Sequence, residues 1–82
     1  MSQPGIGRIV HFVLPEGTHG GEVRAAIISR VWTGIDDTEW PGMVNLSLVL
    51  DGPRDAGMEA FVGNVFFSAE PAPGRWHWPA RN

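Results

Sequence analysis

Hydrophobic and polar residues alternate along much of this chain, in short runs separated by glycine and proline. The alternation is clearest in "MVNLSLVLDG" (43–52), where Val44, Leu46, Leu48 and Leu50 take every second position and mostly polar residues fill the gaps. Because successive side chains of a strand point to opposite faces, this run predicts a strand. Other apolar runs predict further strands at 8–14, 23–32, 61–70 and 75–78.

The second run, "VRAAIISRVW" (23–32), decides where the first candidate site residues lie. Strict alternation groups Val23, Ala25, Ile27 and Val31 on one face, and Arg24, Ala26, Ile28, Arg30 and Trp32 on the other. We place Arg24, Arg30 and Trp32 on the outer face of the protein. In the first run, "RIVHFVL" (8–14), the two faces carry Val10, Phe12 and Leu14 against Ile9, His11 and Val13.

The segments between these runs have the composition of turns and loops. We expect a hairpin loop at 15–22, an acidic loop at 33–42, a turn or single helical turn at 53–60, and a turn at 71–74. Gly63 marks a candidate bulge in the fourth strand.

The end of the chain, "GRWHWPARN" (74–82), holds two of the four tryptophans. Trp76 and Trp78 are two positions apart, so they share one face of a strand. We expect this segment to be the final strand of the fold, with both tryptophans closing one end of it.

Five short strands without a long amphipathic stretch indicate an all-β protein. In 82 residues we expect one domain (1–82), a small five-stranded SH3-like barrel. An OB-fold is the alternative, although it usually requires a longer chain and a helix between the third and fourth strands.

Composition and charge narrow the classes of function. The net charge of −3 argues against general nucleic-acid binding, and the absence of cysteine excludes disulfide and thiol chemistry. No apolar run is long enough to span a membrane and no secretory signal opens the chain, so a cytoplasmic protein is expected. All six basic residues are arginine, which fits either anion recognition or the codon usage of a G+C-rich genome.

No catalytic or metal-binding motif is present, so we expect a non-enzymatic protein without cofactor or metal. His11 and His77 converge if the first and last strands pair. We interpret both as surface or interface imidazoles, and a shared metal ion is the less favoured alternative.

A candidate ligand site remains on the predicted outer face. Arg24, Arg30 and Trp32 combine guanidinium groups for phosphate with an aromatic ring for stacking. Arg75 and His77 extend this patch from the last strand, and His11 supplies a further hydrogen-bonding group. The alternative is a solvated face with one covered tryptophan.

Two other features bear on partners. Trp40, between acidic residues and Pro41, either folds back on the barrel, covers a pocket or inserts into another subunit. Large apolar residues lie on both faces of several strands, and a small barrel has only one interior. We therefore expect a homo-oligomer.

Four segments together resemble a group of short proteins encoded by tailed bacteriophages: "GRIVHFVLPEG", "AAIISRVW", "VNLSLVLDG" and "GRWHWP". The resemblance spans most of the chain, and the segments 33–42 and 51–60 are less typical of the group. It implies a phage setting, in which short proteins are commonly particle components, regulators or counter-defence proteins. Some counter-defence proteins are small oligomers that trap host nucleotide signals.

The resulting expectation is a phage-encoded, oligomeric barrel in the host cytoplasm that sequesters a small anionic ligand of the nucleotide type. The predicted ligand-binding residues are Arg24, Arg30, Trp32, Trp40, Arg75, His77 and His11. The alternative is a structural or adaptor protein of the phage particle that acts through protein–protein contacts. A hydrolase is the least favoured class.

Overall fold

The five predicted strands are present and form one antiparallel sheet. The computed structural model describes residues 4–15, 20–32 and 43–79. The strands are β1 (Ile9–Val13), β2 (Val23–Val31), β3 (Val44–Leu48), β4 (Phe61–Val65) and β5 (Trp76–His77), in the spatial order β4-β3-β2-β1-β5. A short 3₁₀ helix, Gly52–Asp55, lies between β3 and β4, where a helical turn was predicted. In these ranges no helix is long and apolar enough to cross a membrane.

The sheet curls into a half-barrel around one apolar core, which confirms the all-β class. β1, β2 and β3 contribute alternate residues to the core, as the alternation predicts, whereas Val62 and Val65 of β4 are three positions apart. The buried cluster contains Val10, Phe12, Leu14, Ala26, Ile28, Val44, Leu46, Leu48, Val65 and Trp76. The predicted faces of the first and third runs are therefore correct.

A β-bulge in β2 changes which face its residues occupy. Ile28 pairs with Leu46 but Arg30 pairs with Asn45, so Ser29 is an extra residue opposite β3. An extra residue reverses the alternation beyond it. Arg24 precedes the bulge and lies with Ala26 and Ile28 on the core face, where it is buried, whereas Arg30 lies beyond the bulge and is exposed. The prediction that Arg24 shares an outer face with Arg30 is wrong.

A second bulge lies in β4, where Gly63 predicted one. Leu46 pairs with Val62 and Val44 with Val65, which leaves one residue of β4 in excess. Asn64 adopts a left-handed conformation with φ of 56°. Asparagine tolerates this conformation better than other non-glycine residues do.

The C-terminal strand belongs to the core. Trp76 is only 1% exposed, and its ring packs edge-on against Phe67 (centroids 4.9 Å apart) and Trp78 (5.2 Å). Just after β4, the chain also meets β5, because the Trp76 N–H donates to the Phe66 carbonyl and the Ser68 N–H donates to the Trp76 carbonyl. This contact joins the two edges of the curled sheet.

Candidate functional site

Arg24 is part of a buried ion pair with Asp55. Its Nε donates to Asp55 Oδ2 (2.7 Å) and its Nη2 donates to Oδ1 (2.8 Å), so the pairing is bidentate. The Asp51 N–H also donates to Asp55 Oδ2 (2.6 Å). Because the Asp55 carboxylate accepts hydrogen bonds from Arg24 of β2 and from the N–H that precedes the 3₁₀ helix, it fixes the β3–β4 connection against the sheet.

Glu22 extends this ion pair toward the surface. It accepts from Arg24 Nη2 (3.0 Å) and forms an ion pair with Arg54 on the 3₁₀ helix. Hydrogen bonds from Arg54 first, and from Arg24 next, lower the pKa of Glu22. The hydrogen bond to Asp55 raises the pKa of Arg24 above its already high value. The Arg24 guanidinium thus pairs with two carboxylates of its own chain, and we therefore exclude Arg24 from the ligand site.

Exposed Arg30 and half-buried Trp32 and Asn45 form a group beyond the bulge, which we call the arginine–tryptophan cluster. The Arg30 guanidinium carbon lies 3.8 Å from the centroid of the Trp32 ring. Trp32 Nε1 donates to Asn45 Oδ1 (2.8 Å), and the Asn64 N–H donates to the same oxygen (3.0 Å). The two bulges create this arrangement, since one turns Arg30 outward and the other brings the Asn64 N–H to Asn45.

An apolar row crosses the outer face of four strands. Strand pairing aligns Ile9 of β1 with Ile27 of β2, Ile27 with Ser47 of β3, and Ser47 with Phe61 of β4. The exposed fractions are 59% for Ile9, 41% for Ile27 and 59% for Phe61. We call these four residues the outer row. Exposed, aligned apolar side chains of this size are typical of an interaction surface.

The two histidines lie in the adjacent row of the outer face. His11 pairs directly with His77 of β5 on one side and with Ala25 of β2 on the other, as predicted for pairing of the first and last strands. Their ring centroids are 5.6 Å apart, with the planes nearly perpendicular. Burial, and then the charge of His11, lower the pKa of His77. The Nδ1 atom of His77 is buried and has no hydrogen-bond partner among the described residues.

The predicted ligand-binding residues therefore do not form one site. Arg24 lies inside, Arg30 and Trp32 lie beyond the bulge of β2, and the histidine pair lies beside the other half of that strand. Arg75 places its guanidinium carbon 5.5 Å from the Phe66 ring centroid. The prediction for Trp40 falls outside the described residues.

Sequence reasoning missed Asp55 and Asn45. Asp55 pairs with a residue 31 positions away, and no local pattern marks that contact. The alternation in 43–52 places Asn45 only among the polar residues between the apolar ones, and its role depends on both bulges.

The described ranges contain no group of three or more histidine, cysteine, aspartate or glutamate side chains able to hold a metal ion. Comparisons of the chain with protein-family models, with curated proteins and with solved structures gave no match.

Proposed function

We propose that this protein is a non-enzymatic binding protein that acts through protein–protein contacts on the outer face of its sheet, and that its first partner is a second copy of itself. The outer row carries the proposal. Of the two functions expected from the sequence, contact with protein is the better supported, because the residues expected to bind a small ligand are dispersed.

The chemistry of the outer face fits self-association. The outer row and the adjacent row of His77, His11, Ala25 and Val49 contain no aspartate, glutamate, lysine or arginine. In a two-fold dimer each surface meets a copy of itself, so an uncharged surface meets no like charge. A stable interface needs about 800 Å² per partner, and burying the two rows with their surroundings is the simplest way for a domain this small to supply it.

Light scattering at micromolar concentration tests this proposal. We expect a mass of at least twice the 8.9 kDa of one chain. Ile27→Arg places a charge in the centre of the outer row and should give a folded monomer, and Ile9→Arg is the second variant if Ile27→Arg does not fold. The matched control is Ala69→Arg, because Ala69 is exposed in the connection between β4 and β5. A monomeric parent, or an Ile27→Arg variant that associates as the parent does, would contradict the proposal.

The arginine–tryptophan cluster favours a second candidate function, the binding of a small anionic ligand with an aromatic ring. Arg30 offers a planar cation for phosphate and for stacking, and Asn45 fixes the orientation of the Trp32 ring. Nucleotides combine the two chemistries that this cluster recognises.

A thermal-shift panel of cyclic and linear nucleotides tests the second candidate. A ligand at about 100 times its dissociation constant adds about 2.7 kcal/mol, which raises the melting temperature by about 10 °C or more in a domain of this size. Arg30→Gln should abolish the shift and Arg75→Gln should retain it, and the nucleotide should be recovered unchanged. If no nucleotide raises the melting temperature, this candidate function is excluded, and the proposed protein–protein contact is unaffected.

We also propose the setting that the sequence resemblance implies, a bacteriophage protein in the cytoplasm of the host cell. In that setting an outer face that binds protein fits an adaptor or particle component. Purified phage particles should then retain the protein through the outer row, and release the Ile27→Arg variant. The half-barrel has the size and strand number of an SH3-like barrel, and we propose that fold.

A further inference from the structure

His11 and His77 are brought together by strand pairing alone. They are far apart in the sequence but directly opposite each other on adjacent antiparallel strands, with side chains on the same face. Both side chains are half-buried, so they are held in place and are still reachable from solvent.

The distance between the rings fits a shared metal ion. Zinc lies about 2.0–2.1 Å from a ligating imidazole nitrogen, which places the ion about 3.2 Å from each ring centre. Two imidazoles at the tetrahedral angle then have ring centres about 5.2 Å apart. The observed separation of the His11 and His77 centroids is 5.6 Å. A rotation about the terminal torsion of each histidine, which has a broad energy well, is enough to turn a ring nitrogen toward the ion.

The environment of the two histidines also favours metal binding. Imidazole ligates metal through a ring nitrogen that carries no proton. A coordinating ion also explains a half-buried ring whose Nδ1 atom has no hydrogen-bond partner in the described part of the chain. The charged neighbour in sequence, Arg75, is directed to the Phe66 ring.

We propose that His11 and His77 bind one divalent transition-metal ion of the class that prefers imidazole: Zn²⁺, Ni²⁺ or Cu²⁺. Among the described residues the ion has these two ligands, because no larger ligand group exists there. Its remaining positions are open to water or to an added small ligand. Affinity should follow the general order for these ions, with Cu²⁺ tightest, and Mg²⁺ and Ca²⁺ should not bind.

Isothermal titration of the full chain with Zn²⁺, and separately with Cu²⁺, tests the proposal. We expect saturable binding that is weakened by about tenfold or more in His11→Gln and in His77→Gln, since each variant loses one of two ligands. His19→Gln is the matched control, because it removes the third histidine and should leave the affinity unchanged. The Cu²⁺ complex should show nitrogen coordination in its electron paramagnetic resonance spectrum.

Absence of binding at millimolar Zn²⁺ and Cu²⁺ overturns the proposal, and so does an affinity that both single variants retain or that His19→Gln abolishes. His11 and His77 lie in the row that the proposed dimer buries, so self-association competes with access of the ion to the pair. The monomeric Ile27→Arg variant should therefore bind the ion at least as tightly as the parent does, and its failure to bind would show that the pair alone is not a site.

Discussion

Truncation of Trp76 should nearly unfold the protein. This side chain is 1% exposed and packs against Phe67 and Trp78, and its backbone joins the two edges of the sheet. Removing a buried tryptophan typically costs about 3–5 kcal/mol, whereas a domain of 82 residues has about 4–12 kcal/mol in total. With about 4–8 °C lost per kcal/mol in a domain of this size, Trp76→Ala should melt more than about 10 °C below the parent or not fold at all.

Thermal unfolding followed by far-ultraviolet circular dichroism measures this effect without relying on tryptophan fluorescence. Trp76→Phe should lose less, because a ring remains to contact Phe67. The control is Ile6→Ala, since Ile6 is 75% exposed and its truncation should change stability by less than about 0.5 kcal/mol. If Trp76→Ala melts within about 2 °C of the parent, then β5 is peripheral and our account of the core is wrong.

Three further predictions concern the buried ion pair, its surface extension and the bulge in β4. Asp55→Leu should lower the melting temperature because Arg24 loses its buried charged partner, and adding Arg24→Met should recover much of that loss. Additive losses in the cycle of Arg24→Met, Asp55→Leu and their double variant would contradict the pairing. Folding lowers the pKa of Glu22, so its contribution to stability is present above its ordinary pKa of 4.5 and is lost as the pH falls through the folded pKa. Between about pH 6 and about pH 3, the melting temperature of Glu22→Gln should therefore depend less on pH than that of the parent. Equal slopes of melting temperature against pH would refute this. Asn64→Val should cost about 1–2 kcal/mol in urea unfolding because φ is positive, whereas Asn64→Gly should be tolerated; equal losses would count against a strained position.

Alternation was sufficient to locate the strands and most of the core. In β3 only one face is consistently apolar, so only one arrangement buries Val44, Leu46 and Leu48 together. Gly63 also marked its bulge, because a glycine inside a strand is itself unusual.

The bulge at Ser29 left no such mark in the sequence. Both faces of the preceding residues are largely apolar, with Ile27 on one and Ile28 on the other, so local pattern does not decide which face is buried. The structure buries the face that carries Ala26 and Ile28, and Arg24 on that face pairs with Asp55. The predicted site failed for the same reason, because reversing the alternation separates Arg24 from Arg30.

The pairing of β1 with β5 has a consequence for how the protein forms. In the described part of the chain, one edge of β1 is covered by residues 74–77, which leave the ribosome after the residues of β1 to β4. Until then β1 presents free N–H and C=O groups, the kind of edge to which other chains add. Closing the sheet also requires contact between distant parts of the chain, which is slow compared with local pairing. The nascent protein therefore passes through a stage in which it is prone to aggregation. This stage ends only when β5 pairs with β1.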